Sequence, residues 1–347
     1  MKRLHLTTLV LSLLCAGVAE AADPPKIAYT GDGSDLQKVL DAAPVGATIT
    51  CDAKRSLEIS KSITIRQALT LTGLNARLPK TLGKTPILIV AAEGVTLFDL
   101  KLHGNHGSVD DRKRAPLIHV RKGKFRIERC IFYDATKDGI MVTPEKSDGD
   151  VVGGVIRDIK AYRMGRDAVS ISGGDRRWGM CVRNVLIEDV RLERGYRRGA
   201  VEVSDGSDNI TVRRVYAKDA KYAIEVHDHG QKVPNTNLVF EDVTAVNCLA
   251  LLLGGDNIRG HKNVTLRRAT ATDCKMPVRI KHYANILIED LTITNQAKAD
   301  SPRIHLIDCQ GVRVRNVNIK GLASGVKPVS QKDCTDVAIE KLKLADE

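Results

Sequence analysis

The sequence predicts an all-β fold, a parallel β-helix of about ten to twelve three-strand coils behind an N-terminal capping helix. Three observations carry this expectation. The first is a six-residue pattern of apolar, any, apolar, any, polar, apolar. Its clearest copies run 185–190, 210–215, 238–243, 264–269, 286–291, 312–317 and 337–342, with earlier copies starting at Val95, Phe125 and Gly154. The second is spacing: the second apolar residue recurs at 97, 127, 156, 187, 212, 240, 266, 288, 314 and 339, a mean step of about 27 residues, which is a solenoid period. The third is a separate alternating segment upstream in each coil, as in Ala168-Val-Ser-Ile171, Ala200-Val-Glu-Val203, Ala223-Ile-Glu-Val226 and Ala250-Leu-Leu-Leu253. Each segment alternates with period 2 and is half-apolar, so a coil buries its apolar face only by stacking on another.

Taken in chain order, residues 1–21 read as a secretory leader. Lys2 and Arg3 form a basic start, an apolar stretch follows from Leu6 to Val18, and Ala19-Glu20-Ala21 is a small-x-small cleavage pattern. Ser12-Leu13-Leu14 before Cys15 lacks the small residue of a lipoprotein signal, so the expectation is a secreted or periplasmic chain without a lipid anchor. Residues 22–46 form an N-terminal segment with the capping helix. Ser34 to Gln37 spells a capping box, and Leu36, Val39, Leu40 and Ala43 share one face before Pro44 stops the helix. The helix is expected to cover the open first coil, whose strand edges are otherwise unpaired. Residues 47–347 form the β-helix domain, with no comparable cap after Leu344. Within the coils, Asn184, Asn209, Asn237, Asn263 and Asn285 precede the repeat, where a left-handed backbone bend is easiest for a residue other than glycine.

Composition narrows the function classes. With 43% hydrophobic residues in 347, the chain has material for a large core and is not disordered. Aromatics at 3% argue against membrane-interface belts and against a binder built on many stacked rings. No apolar run is long enough for a membrane span. Removing Lys2, Arg3 and Glu20 with the leader changes the formal charge from +12 to +11. For an exported basic chain with few aromatics, the expected partner is an acidic polysaccharide rather than nucleic acid. Seven cysteines remain outside the leader, an odd number at no zinc-like spacing, so at least one thiol is unpaired.

The coils resemble the right-handed β-helix of the pectin-lyase-like superfamily, over roughly residues 47 to 344. That architecture hosts lyases, hydrolases, epimerases and adhesins, so activity has to be read from the site. The resemblance implies that the upstream strands floor the substrate groove. Alternation then puts Val201, Val203, Ile224, Val226, Val278 and Ile280 inward and leaves two outward columns. One is His119, Met141, Ser170, Glu202, Glu225, Leu252, Arg279, His305; the other is Arg121, Thr143, Ser172, Ser204, His227, Gly254, Lys281, Ile307. Glu202 should stand beside Glu225, with Arg279 two coils on. Such a carboxylate pair either binds a cation, with calcium the candidate, or keeps one proton because like charges resist joint ionisation. Loops at 143–153, 173–184, 228–237 and 255–263 should wall the groove, and Trp178 in one of them can stack on a sugar ring. The segment Asp110-Asp-Arg-Lys-Arg114 can close one end.

Three families within the superfamily are echoed. Thr136-Lys-Asp-Gly139 and Arg166-Asp-Ala-Val-Ser-Ile171 are similar to the Asn-Thr-Asp-Gly and doubled-Asp motifs of polygalacturonase-like hydrolases, which implies roles for Asp138 and Asp167. Arg166 stands where the second acid belongs and Arg198 where a histidine belongs; Arg279-Ile-Lys281 matches a further motif but lies later in the chain. Glu202-Val-Ser-Asp-Gly-Ser-Asp-Asn209 resembles the Glu-containing coil of the chondroitinase-B-like and alginate lyases, which implies a calcium held by acids such as Glu202 and Glu225. Tyr222-Ala-Ile-Glu-Val-His-Asp228 resembles the Tyr-Gly-Phe-Asp-Pro-His signature of mannuronan C5-epimerases. It implies that Tyr222, Glu225 and His227 are catalytic.

The expected activity is therefore C5-proton abstraction on a uronate-containing polysaccharide, by a lyase or an epimerase. His227 or Tyr222 would be the base and Arg279 or Lys281 would neutralise the carboxylate, with Trp178, Arg198, Asp167, Asp138 and Asp228 binding substrate. Glu225, His227 and Lys281 are expected to converge across a gap at Gly254. The alternatives are a polygalacturonase-like hydrolase and a non-catalytic envelope protein that binds anionic glycan.

Overall fold

The structure, a computed structural model, describes residues 23–80, 82, 84–107, 114–173, 179–230, 233–255 and 260–345. The expected leader lies outside these residues, as do Trp178 and the stretch from Asp110 to Lys113. The chain winds into a parallel β-solenoid of about twelve turns. Among the described residues its strands form a 16-stranded and an 11-stranded sheet. The smaller sheet stacks the short upstream strands in chain order, from Ile63–Ile65 to Val329–Lys332. The larger sheet is dominated by long bent strands such as Val151–Met164, Val182–Gly195 and Ser207–Lys218. Within those bent strands each half of the six-residue pattern pairs with its counterpart one coil away, as Ile187 does with Ile156 and Val212.

The bends are left-handed. Asn184, Asn209, Asn237, Asn263 and Asn285 have φ of 58°, 52°, 56°, 60° and 55°. Their amides form a hydrogen-bonded chain in places: Asn209 donates to Asn184 at 2.7 Å, Asn263 to Asn237 at 2.8 Å and Asn285 to Asn263 at 3.1 Å. A second left-handed position follows in the polar bend, where Asp189, Arg214, Asp242, Arg268 and Asp290 have φ of 57°, 55°, 54°, 51° and 52°.

Just before that second bend runs a column that alternates in sign along the solenoid. Glu128, Arg157, Glu188, Arg213, Glu241, Arg267, Glu289, Arg315 and Glu340 are level with one another in successive coils. Every interior member thus has opposite charges above and below it, the favourable cross-strand arrangement. Glu188, buried, is held by Arg157, Arg213 and Arg214.

The interior is the expected apolar stack. Leu97, Ile127, Ile156, Ile187, Val212, Phe240, Leu266, Ile288 and Val314 are all buried. Ile339 departs from the expectation: it is level with Val314 but 41% exposed, because among the described residues no coil stacks on its other side. At the other end, helix Leu36–Ala42 buries Leu36 and Leu40 over the first coils. The capping box is not formed. Asp35 is the N-cap and makes no side-chain cap, Ser34 donates instead to Asp32, and the Gln37 amide is taken by the backbone of Thr64. Docking on the coil outcompetes the local cap. All seven described cysteines are free thiols. No described helix is long and apolar enough to cross a membrane.

The Glu188 site makes a prediction. Burial raises its carboxyl pKa, but hydrogen bonds from Arg213, Arg214 and Arg157 outweigh this and hold it at about 2, below the ordinary 4.5. A depressed folded-state pKa gives stability that is present above pH 4.5 and lost as the pH falls toward 2. Chemical unfolding of Glu188→Gln should show a loss of about 1–3 kcal/mol at neutral pH that shrinks in this acid window.

Candidate active site

The face expected to floor a substrate groove is read from the register of the upstream strands. One outward column runs Ser170, Glu202, Glu225, Leu253, Arg279, His305. Glu202 is level with Glu225, and Arg279 lies two coils beyond Glu225, as the alternation requires. In the intervening coil the expectation is one residue out of phase. Leu252 points inward, 1% exposed, and Leu253 stands in the column; Gly254 pairs with Val226 and Ile280 and faces the core. Three successive leucines carry no alternation by which the phase could be read. The neighbour of Lys281 between it and His227 is therefore Gly255, not Gly254. Its φ is +78°, and a Cβ there would lie 1.7 Å from the Lys281 carbonyl oxygen, so glycine is required by the close passage of the two coils.

Turn residues just ahead of three successive upstream strands meet in one cluster. Asp138 precedes Ile140–Val142, Arg166 and Asp167 precede Val169–Ser172, and Arg198 precedes Val201–Ser204. Arg198 Nη1 contacts Glu202 and lies 3.4 Å from Glu225 Oε2. Arg166 Nη2 is 3.1 Å from the other Glu202 oxygen, which also accepts from Ser170 Oγ at 2.7 Å. Burial pushes the Glu202 pKa up, yet Arg198, Arg166 and Ser170 outweigh it and hold the group below its ordinary value.

Asp138 and Asp167 behave oppositely. Both are fully buried, and desolvation raises both pKa values, well above the ordinary range for Asp167, with the nearby Glu202 charge adding to the effect. Asp167 Oδ1 accepts from the Tyr222 hydroxyl at 2.8 Å and from the Gly199 N–H at 3.1 Å, while Asp138 Oδ1 accepts from the Asp167 N–H. The second oxygen of each carboxyl has no hydrogen-bond partner. Tyr222 is itself fully buried, and burial followed by the Asp167 charge pushes its hydroxyl pKa well above 10. It stands beneath the groove floor as a prop for Asp167.

A second group lies at the ends of the same strands. Asp205, with φ of 58°, accepts from the His229 backbone N–H at 2.8 Å and pairs with His229 Nδ1 at 2.8 Å, and Ser172 Oγ donates to it at 3.0 Å. The hydrogen bond to Asp205 raises the His229 pKa above 6.5, outweighing its partial burial. The His227 ring meets His229 edge-on, with centroids 4.4 Å apart. Lys281 and Arg279 project from the strand two coils on. Asp228 points away from this group. It is fully buried against His261 Nε2 at 3.2 Å, while His261 Nδ1 accepts from the Asn235 N–H, which assigns the Nε2–H tautomer.

The sequence reading singled out the two glutamates, His227, Asp138 and Asp167, but not Asp205 and His229 as a pair; it put Arg166 in the place of an acid and Arg198 in the place of a histidine, with Arg198 expected to bind substrate. The arginines are the counter-ions that make four clustered carboxylates tolerable. The sequence signal for His229 was the His-Asp-His string at 227–229, which falls where strand periodicity ends. As for calcium, Arg198 already bridges Glu202 and Glu225, and among the described residues no three acidic, His or Cys side chains converge as a metal site. The residues present do not suit a resident cation at that pair.

Two outcomes follow. Arg198→Ala leaves buried Glu202 with Arg166 and Ser170 as its remaining partners and should cost about 1.5–3 kcal/mol in unfolding free energy, with Glu202→Gln on top recovering part of it. In an NMR titration His229 should lose its proton above the ordinary histidine value and His119, driven down by burial, near 4; Asp205→Asn should lower the His229 midpoint and leave His119 in place.

The chain matches no protein-family model and no curated protein sequence. Solved structures do match. The A-module of a mannuronan C-5 epimerase from Azotobacter vinelandii superposes with a TM-score of 0.59 at 12% identity, covering 91% of both chains. An alginate lyase from Paenibacillus sp. gives a TM-score of 0.54 at 13% identity, covering 91% of this chain and 99% of that one. A polygalacturonase from Erwinia carotovora gives 0.50 at 12% identity, covering 94% and 98%. What this chain shares with these carbohydrate-active enzymes is the parallel β-helix fold.

Proposed function

We propose that this protein is an enzyme of acidic, uronate-containing polysaccharides that acts by withdrawing the C5 proton beside the uronate carboxylate. The observation that carries this reading is the Asp205–His229–His227 group on the groove floor, with Lys281 and Arg279 two coils away. Removal of that proton needs a base, a cation for the carboxylate and an acid. Two adjacent histidines in different environments divide these roles. Asp205 favours the imidazolium of His229, which makes it the proton donor, while His227 is the base. Lys281 or Arg279 takes the carboxylate. Glu225 is tied to Arg198, and with Glu202, Asp138, Asp167 and Tyr222 it forms the rigid support of the floor. A leader at residues 1–21 would deliver the chain to a secreted or periplasmic location, where such glycans occur.

Lyase and epimerase share this first step and differ in whether the glycosidic oxygen then leaves. One observation favours a second reading. Asp138 and Asp167, buried with raised pKa and one oxygen each without a hydrogen-bond partner, are carboxyls able to keep a proton, as hydrolysis of a glycosidic bond requires.

The test is incubation with alginate, pectate and glycosaminoglycans in heavy water. Deuterium at C5 is expected, with ultraviolet absorbance of an unsaturated uronate if elimination follows. New reducing ends without either signal would replace this reading by hydrolysis, and unaltered polymers that still bind would leave glycan binding alone. His227→Ala should lower turnover by about 100-fold or more while leaving the thermal midpoint nearly unchanged, since the side chain faces outward. Binding of the polyanion should weaken steeply with added salt.

A further inference from the structure

The solenoid stacks its cysteines selectively. Ile307 is level with Lys332 and Gln310 with Thr335, so Cys309 is level with Cys334 one coil on. Backbone hydrogen bonds clamp the level on both sides: Asp308 N–H donates to Lys332 O at 2.8 Å, and Thr335 N–H to Cys309 O at 3.0 Å. Each thiol donates to a backbone carbonyl, Cys309 to Ile307 O at 3.3 Å and Cys334 to Lys332 O at 3.3 Å. The same arithmetic sets Cys248 level with Cys274, because Val246 is level with Thr272. The remaining cysteines have no such mate. Cys130 is level with Ile159, and the neighbours of Cys51 and Cys181 in adjoining coils are not cysteines either.

Adjacent parallel strands lie about 4.8 Å apart, inside the Cα range that a disulfide spans, and the Cβ atoms have to close by about 0.3–1 Å. The pairs differ in access. Cys248 and Cys274 are both buried, whereas Cys334 is half-exposed beside buried Cys309.

We propose that Cys309 and Cys334 are a redox-active pair that closes into an inter-coil disulfide when the protein meets a small-molecule disulfide. The Cys334 thiolate attacks one sulfur of the reagent and expels a thiolate, leaving a mixed disulfide. Cys309, level with it one coil back, then attacks the Cys334 sulfur and expels the second thiolate. Two protein thiols are oxidised, one reagent disulfide is reduced to two thiols, and the two protons end on those leaving thiols. The bond fastens the strand Thr335–Ala345, whose apolar residues Ile339 and Leu344 are exposed, to the coil before it. Cys248 and Cys274 stay reduced in the folded protein, since no reagent reaches them.

The test is incubation of the folded protein with oxidised glutathione, followed by acid quench, alkylation and peptide mapping. A linked peptide joining Cys309 to Cys334, with Cys248 and Cys274 alkylated, is expected. The thermal midpoint should rise by about 5 °C in the oxidised protein and not in Cys334→Ser. Cys309→Ala should instead trap glutathione on Cys334. Glutathione remaining on Cys334 in the unmutated chain, a linked Cys248–Cys274 peptide without the Cys309–Cys334 one, or no linked peptide at all would overturn the proposal.

Discussion

Everything in this molecule depends on each coil turning at the same residue as the coil before it. Parallel strands about 4.8 Å apart place every side chain on its counterpart, so a one-residue slip would send a whole column to the other face. The left-handed bends hold the phase. Such a conformation costs an ordinary residue roughly 1–2 kcal/mol, which is why asparagine and aspartate recur there. Arginine at Arg214 and Arg268 is less suited to it, and there the guanidinium bonds the aspartate of the preceding coil, Asp189 or Asp242, which offsets the strain.

The same stacking creates an electrostatic problem and solves it differently on two faces. On the larger sheet opposite charges alternate along the axis, and at Glu188 and Glu241 the arginines outweigh burial and hold the carboxyls below their ordinary values. Near the groove four carboxylates, Asp138, Asp167, Glu202 and Glu225, gather around Arg166 and Arg198. Two guanidinium groups cannot hold four buried charges. Glu202, which both touch, stays ionised, while burial drives Asp138 and Asp167 toward the protonated form.

On that surface the histidines occupy the ends of strands, where regular pairing gives way to loops. Asp205 is the hinge of the arrangement. Its left-handed backbone turns the chain out of the strand, and its carboxylate holds both the backbone and the ring of His229 from the next coil. The ring whose pKa Asp205 raises is thereby fixed beside His227. Gly255 serves the same region from the next coil, since any side chain would collide with the Lys281 carbonyl.

The sequence by itself determined the solenoid, its period, the inward residues and the level of Glu202 with Glu225, because all of these follow from hydrophobic alternation repeated at fixed intervals. It also marked the asparagine bends, since few residues accept that backbone. It could not set the phase of Leu251 to Gly255, where the residues are alike in hydrophobicity, nor foresee that the helix would give up its capping box to dock on a coil. Tertiary structure alone decided which charges meet: that Arg166 and Arg198 neutralise Glu202, that Tyr222 lies buried on Asp167, and that Asp205 reaches His229. Apart from Arg198 and Glu202, which share a coil, these contacts join residues from different coils, and no periodicity along the chain encodes how far or in which direction a side chain extends.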